Sequence, residues 1–196
     1  MIITTEQVKE LREKTGISIM QCRKALEDAG GDMEKAVILL RKKGADVASK
    51  KADRELHSGR IATYIHGTGT TGAMVEISCE TDFVSGNAEF AKMAYDIAMQ
   101  IVATKPEFLK RADVSEAEMN KAKEVFAAEV VGKPEAIKEK ILGGKLDSYF
   151  KDKVLLEQDF IKDPTITVAT LLQNAIQKFG ERMEIVRFVR YGLMEK

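Results

Sequence analysis

The chain has 196 residues, the size of one large domain or of a small domain joined to a medium one. Apolar residues make up 44% of it and charged residues 32%, a balance that excludes both long disorder and a membrane protein. Its 31 Lys and Arg residues cancel its 31 Asp and Glu residues, which argues against the broad basic surface of a nucleic-acid-binding protein. A protein or a small molecule is therefore the expected partner.

The cysteines and the first residues indicate the compartment. Cys22 and Cys79 are the only cysteines, and they lie far apart in no metal-ligand spacing, so we expect neither a disulfide framework nor a metal site. The chain becomes polar at Thr4, and no later apolar run approaches the roughly 18 residues that a membrane-spanning helix needs. We therefore expect a cytoplasmic protein with no membrane contact.

Residues 1–44 predict a compact unit of three helices. Each helix has a capping residue before it and a glycine after it. The caps are Thr4 or Thr5, Ser18 and Asp32, and the terminating glycines are Gly16, Gly30-Gly31 and Gly44. Because a bundle below about 50 residues is marginally stable alone, its predicted role is to present a surface.

The pattern changes twice after this unit. Residues 45–57 are Ala-rich and charged with almost no apolar stripe, which favours a solvated connecting helix. From Gly59 the period becomes two, with Ile61, Thr63 and Ile65 in one phase, and it resumes at Met74 after a Gly/Thr turn. This predicts an antiparallel hairpin with one buried face at the start of an α+β core over residues 58–196.

The rest of the core is predicted to be four helices and a third strand. A helix capped at Asn87 stops at Pro106, and Ser115 with Glu118 forms a capping box. The helix that begins at this capping box has an apolar stripe of Met119, Ala122, Phe126 and Val130. A further helix follows Pro134 and weakens at Gly143-Gly144, and a last helix ends at Gly180. The tail from Arg182 to Tyr191 alternates with apolar groups in both phases, which predicts a paired third strand covered on both sides.

The motifs typical of enzymes fail in context. Gly67–Gly72 matches G-x-G-x-x-G, but a strand follows it where a dinucleotide site needs a helix, so a hairpin turn is favoured. No phosphate-binding G-x-x-x-x-G-K-[ST] motif occurs. Cys79 with a distant histidine could be drawn as a catalytic pair, yet its phase favours a buried, inert thiol. We expect no enzyme activity, no bound cofactor or metal, and no direct nucleotide binding.

The segment from Glu80 to Asn87 joins a strand to a helix, a place where folds often display functional groups. Phe83 beside Asp82 could enter a partner's pocket there. Alternatively, Phe83 continues the buried phase of β-strand residues ending at Cys79 and packs on Phe90. Periodicity alone favours the buried alternative, because most Phe residues are interior.

Three blocks of sequence carry a resemblance to a known family. They are VKELREKTG at residues 8–16 with MQCRKAL at 20–26, GDMEKA at 31–36 with LRKKG at 40–44, and VEISCETDFV at 75–84. In this order and spacing they resemble the elongation factor Ts family, guanine-nucleotide exchange factors of the translational GTPase elongation factor Tu. The family pattern covers essentially the whole chain.

The resemblance implies a fold and a mechanism. Residues 1–44 resemble a helical domain of the ubiquitin-associated (UBA) type, and the remainder resembles a dimerisation-type α+β core. It further implies that Thr81, Asp82, Phe83 and Val84 approach the bound Mg²⁺ of elongation factor Tu and help to dislodge the ion, which releases GDP. Ile19 and Met20 are implied to contact the nucleotide domain of the GTPase.

Two departures from the family pattern matter. Ser85-Gly86 stands where a small and a basic residue often follow the motif, so one charged contact is expected to be missing. The chain has room for a single core module, and short members imply a homodimer formed through the C-terminal segment.

Two other functions stay open at this point. One is a non-catalytic, UBA-like protein-binding adaptor with a dimerising core, and the other is a nucleotide-dependent enzyme built on the Gly67–Gly72 loop.

Overall fold

A computed structural model describes residues 3–128 and 134–195. In chain order its helices and strands are α1 (Thr5–Thr15), α2 (Ile19–Asp28), α3 (Met33–Lys50), β1 (Ser58–His66), β2 (Thr71–Cys79), α4 (Asp82–Ser85), α5 (Ala88–Thr104), α6 (Glu116–Ala127), α7 (Glu135–Lys153), β3 (Asp159–Phe160), β4 (Asp163–Thr167), α8 (Val168–Phe179) and β5 (Met183–Gly192). An N-terminal helical bundle precedes a small antiparallel sheet with strand order β1-β2-β5. The predicted α+β class is confirmed.

Local signals set the ends of the first helices as predicted. The Thr4 hydroxyl accepts the N–H of Gln7 at 3.2 Å, and the Gln7 side chain accepts the N–H of Thr4 at 3.0 Å, which completes a capping box. Gly16 ends α1 with φ 69°, a left-handed conformation that residues with a Cβ resist. Ser18 and Asp32 cap α2 and α3.

The predicted end of the third helix at Gly44 is wrong. Helix α3 continues to Lys50, so residues 45–50 extend it and do not begin a separate connecting helix. One interior glycine costs a helix only about 1 kcal/mol, which the surrounding packing can offset. At Gly44 the missing side chain lets α8 approach, because a Cβ there would lie 3.1 Å from Gln177 Oε1 and 3.7 Å from the Gln173 carbonyl.

The hairpin of β1 and β2 is confirmed, and residues 67–70 form its turn. Strand β2 buries one face, whose residues are Ala73, Val75, Ile77 and Cys79. The expected buried face is not continued in β1, where Ala62 is buried while Ile61 and Ile65 are exposed. The third strand, β5, pairs with β2 as predicted. The prediction that both of its sides are covered is wrong, since Val186, Val189 and Tyr191 are exposed within the described residues.

Two further features differ from the sequence pattern. Strands β3 and β4 form a separate antiparallel pair that the sequence analysis missed, because two- and five-residue strands are too short to establish a period. Helix α7 runs through Gly143 and Gly144 without interruption. Val130, the last residue of the predicted α6 stripe, lies outside the described residues.

Replacing Gly144 with Ala is expected to stabilise the protein by about 0.5–1 kcal/mol. The residue is inside α7, and a Cβ built on it meets no described atom within 4 Å, so the added methyl group costs nothing in packing. Chemical denaturation of the two proteins measures the difference. A decrease in the free energy of unfolding would show that this segment requires glycine.

The chain forms two compact units. The first takes in the residues up to Ala62, Val75–Asp96 and Ala169–Val186. A core cluster in its N-terminal bundle contains Val8, Leu11, Ile17, Cys22, Ala25, Leu26, Ala36 and Leu40. The second unit takes in Thr63–Met74, Ile97–Val168 and the chain from Arg187, and one of its core clusters contains Ala122, Leu146, Phe150 and Val154. The predicted domain boundaries at residues 44 and 57 stay a prediction.

In the second unit, the Glu195 carboxylate is expected to contribute stability that depends on pH. Hydrogen bonds from Arg190 and from Lys105 lower the pKa of Glu195 from 4.5 to about 2. A depressed folded-state pKa means that the contribution is complete above pH 4.5 and is lost as the pH falls toward 2. Glu195→Gln should therefore lower the melting temperature at neutral pH, and thermal melts should show the two proteins converging in acid. An equal difference at every pH would contradict this assignment.

Candidate functional site

The segment after β2 forms a one-turn helix that displays an aromatic ring. The chain leaves the extended conformation at Asp82, where α4 begins, so the period-two pattern of β2 ends there. Phe83 is 82% exposed, while its neighbour Val84 is 3% exposed and anchors the turn. Phe90, the predicted packing partner, is buried without it. The alternative in which Phe83 belongs to the core is therefore wrong.

Glu181 holds the N-terminal side of α4. The N–H of Thr81 donates to one carboxylate oxygen of Glu181 at 3.0 Å, and the Thr81 hydroxyl donates to the other at 2.6 Å. Thr81 occupies the N-cap position, yet its side chain makes no capping bond to α4. The orientation of this turn therefore depends on a residue one hundred positions later in the chain.

Glu80 makes a second anchor. Arg54 donates to both carboxylate oxygens at 3.2 and 3.1 Å, and the N–H of Arg182 donates at 2.5 Å. Although partial burial acts to raise the pKa of Glu80, these bonds lower it overall. The carboxylate thus stays ionised at neutral pH and ties the start of α4 to two arginines.

The thiol of Cys79 is buried, as predicted. It donates to the Thr81 carbonyl at 3.2 Å. Burial, and then the negative charge of Glu181, raise the pKa of this thiol. A protonated, buried thiol supports the turn and is a poor nucleophile.

The far side of α4 is held by β1. The hydroxyls of Ser58 and Ser85 lie 2.8 Å apart, and Arg60 donates to the Ser85 carbonyl at 3.3 Å. Asn87 then accepts the N–H of Glu89 at 2.8 Å at the start of α5. At the departure from the family pattern, Ser85 thus contacts β1 through its side chain, and a guanidinium group from β1 reaches this end of the turn.

Ile19 and Met20 occupy the first turn of α2, directly after the Ser18 cap. They are 53% and 77% exposed, although both are apolar. The opposite side of α2 supplies Cys22, Ala25 and Leu26 to the bundle core. Two apolar side chains at a helix start that the fold leaves open are suited to contact another molecule.

The described residues differ from the arrangements that metal sites and membrane-spanning helices require. No group of three or more His, Cys, Asp and Glu side chains among them is arranged to hold a metal ion. The two histidines contact nearby side chains: His57 lies 3.2 Å from Glu55, and His66 lies 3.0 Å from the Tyr64 hydroxyl. Where the chain is described, no helix is both long and apolar enough to span a bilayer.

Sequence reasoning located the motif and missed the residues that position it. Arg54, Arg60, Glu181 and Arg182 contact residues 80–85 from remote parts of the chain. No local pattern distinguishes them from other charged surface residues. Only Gly180, which predicts a helix end, hints that the residues after it begin a turn.

The chain is similar to known proteins along nearly its whole length. The family described as Elongation factor TS matches residues 8–195. The protein named Elongation factor Ts from Carboxydothermus hydrogenoformans is 50% identical, over 99% of this chain and 90% of that protein. The Elongation factor Ts of Desulforamulus reducens is 49% identical, over 98% of this chain and 90% of its own length. The Elongation factor Ts of Thermotoga petrophila is 47% identical, over 100% of this chain and 98% of its own length.

Proposed function

The chain belongs to the elongation factor Ts family of translation elongation factors, and from this premise we propose that it is a guanine-nucleotide exchange factor for elongation factor Tu. The observation that carries the proposal is the exposed ring of Phe83, on a turn anchored at Glu80, Thr81 and Ser85. An exposed aromatic group on a rigid base loses little conformational entropy when it enters a partner's pocket.

The mechanism rests on displacement of Mg²⁺. A GTPase binds its nucleotide through a phosphate-cradling loop and Mg²⁺, which neutralises phosphate charge. Phe83 enters beside this site as an apolar wedge, and Asp82 makes a polar contact there. Thr81 and Val84 fix the turn that carries them. Loss of the ion leaves phosphate charge uncompensated, so GDP leaves faster.

Linkage makes the exchange reciprocal. A factor that binds the nucleotide-free GTPase more tightly than the nucleotide-bound GTPase lowers the affinity for nucleotide by the same ratio. Each tenfold change in affinity corresponds to about 1.4 kcal/mol. Ile19 and Met20 supply a second apolar contact, to the nucleotide domain of the GTPase. The protein itself needs neither a cofactor nor a nucleotide site.

The active form is a homodimer that pairs through an open face of the sheet. Ile65, Met74, Val189 and Tyr191 line one groove in the second unit, and Tyr191 is 74% exposed. Leu193, in the segment that follows β5, is also exposed. A second copy would cover this apolar face and complete the binding surface for the GTPase.

Release of fluorescent GDP from elongation factor Tu tests the proposed function. The rate should rise with the concentration of this chain and saturate. An adaptor would bind the GTPase without changing the rate, which would contradict exchange. Saturable binding of GDP, GTP or NAD to the chain alone would instead favour a nucleotide-dependent enzyme.

A further inference from the structure

One short segment contacts both parts of the proposed binding surface. Residues 177–182 comprise the last turn of α8 and the residues that follow it. Gln177 donates to the side chain of Gln21 at 2.5 Å. Gln21 directly follows Ile19 and Met20 in α2. Four residues later, Glu181 accepts both hydrogen bonds from Thr81. Two contact regions about 60 residues apart in sequence are thus bonded to one helix end.

The bond to α2 lies in a closely packed, buried place. Gln177 is 6% exposed, and its Oε1 finds no hydrogen-bond partner among the described residues. Gly44 of α3 faces that oxygen, where a Cβ would come within 3.1 Å. The hydrogen bond from Gln177 to Gln21 therefore joins α8 to α2 in a place with little room for either side chain to move.

The helix end is also tied on its other sides. Lys51, just after α3, donates to the Gly180 carbonyl at 2.5 Å. The N–H of Arg182 donates to Glu80, and its guanidinium group donates to the Arg54 carbonyl. Residues 177–182 therefore have bonds to the bundle on one side and to the residues before α4 on the other.

From these contacts we infer that Gln177 and Glu181 are positioning residues, which hold Ile19-Met20 and Phe83 at a fixed separation so that both engage the GTPase at once. The inference rests on the proposed function and adds residues to it. When the first contact forms, the second becomes intramolecular, and its effective concentration depends on how rigidly the two are joined. Neither Gln177 nor Glu181 needs to touch the partner for this effect.

Glu181 variants of the full chain test the inference. Glu181→Ala removes both bonds to Thr81 and should lower the stimulation of GDP release by about tenfold, mainly through weaker binding of the GTPase. Glu181→Gln keeps one acceptor oxygen and should recover part of the stimulation. It also keeps the test informative if the alanine variant does not fold. Glu124→Ala, which removes an exposed carboxylate of α6, is the matched control and should behave as the unmodified chain.

A double-mutant cycle separates positioning from a general loss of stability. Met20→Ala and Phe83→Ala should be coupled in the unmodified chain, because each contact strengthens the other. In the Glu181→Gln background, which keeps only part of the anchor, the coupling between the two substitutions should be smaller. Equal coupling in both backgrounds, or full exchange by Glu181→Ala, would overturn the inference while leaving the proposed function intact. An unmodified chain that does not accelerate GDP release would overturn both.

Discussion

Phe83→Ala is expected to remove most of the stimulation of GDP release while leaving the protein folded. A buried aromatic anchor at a protein interface typically contributes about 2 kcal/mol or more, which corresponds to a roughly thirtyfold slower exchange at limiting concentration. The ring is 82% exposed in the free chain, so its removal takes almost no packing from the fold. A loss of exchange activity can therefore be distinguished from a loss of folding in this one variant.

Two measurements check this expectation. Stopped-flow release of fluorescent GDP from elongation factor Tu gives the rate, and a thermal melt gives the stability of the variant. Val125→Ala, at an exposed apolar position of α6, is the matched control. It should change neither the rate of GDP release nor the melting temperature. If Phe83→Ala stimulated GDP release as well as the unmodified chain does, the role proposed for this ring would be contradicted.

Val189→Glu is expected to convert the proposed homodimer into a monomer. The substitution places a carboxylate among the open apolar residues of the sheet, next to Ile65, Met74 and Tyr191 in the groove. A charge buried in an apolar interface without a partner costs several kcal/mol, more than a contact between two copies can readily absorb. The isolated chain tolerates the change because Val189 is exposed in it.

Sedimentation velocity over a range of concentrations measures the change. The unmodified chain should sediment as a dimer and Val189→Glu as a monomer. Val125→Glu, which adds the same charge on α6, should remain a dimer. A monomeric unmodified chain, or an unchanged dimer in Val189→Glu, would exclude this sheet face as the interface. If both copies contribute to the surface that binds the GTPase, the rate of GDP release should fall as the fraction of dimer falls.

Much of the fold could be predicted because its signals are local. Capping at Thr4, Ser18, Asp32 and Ser115 depends on hydrogen bonds between residues three apart, which a sequence displays directly. The hairpin follows from alternation and from a turn within a few residues. The family resemblance located residues 81–84 in the same way, from a short contiguous motif.

Features that depend on distant residues could not be read in this way. The pattern around Gly44 predicts a helix end, but α3 continues because α8 packs against the space that the glycine leaves. The two apolar phases of β5 predict cover on both sides, yet Val189 and Tyr191 remain open. In each case an element from elsewhere in the chain, or the lack of one among the described residues, decided the outcome.

The amino-acid sequence by itself determined where most of the helices begin, the hairpin and the motif, because those choices follow from hydrogen bonds and periodicity over a few positions. Only the tertiary structure decided that Phe83 projects outward and that Glu181 and Arg54 anchor the turn beneath it. Whether a side chain is buried depends on what packs over it, and the bonds that fix this turn join residues up to 102 positions apart.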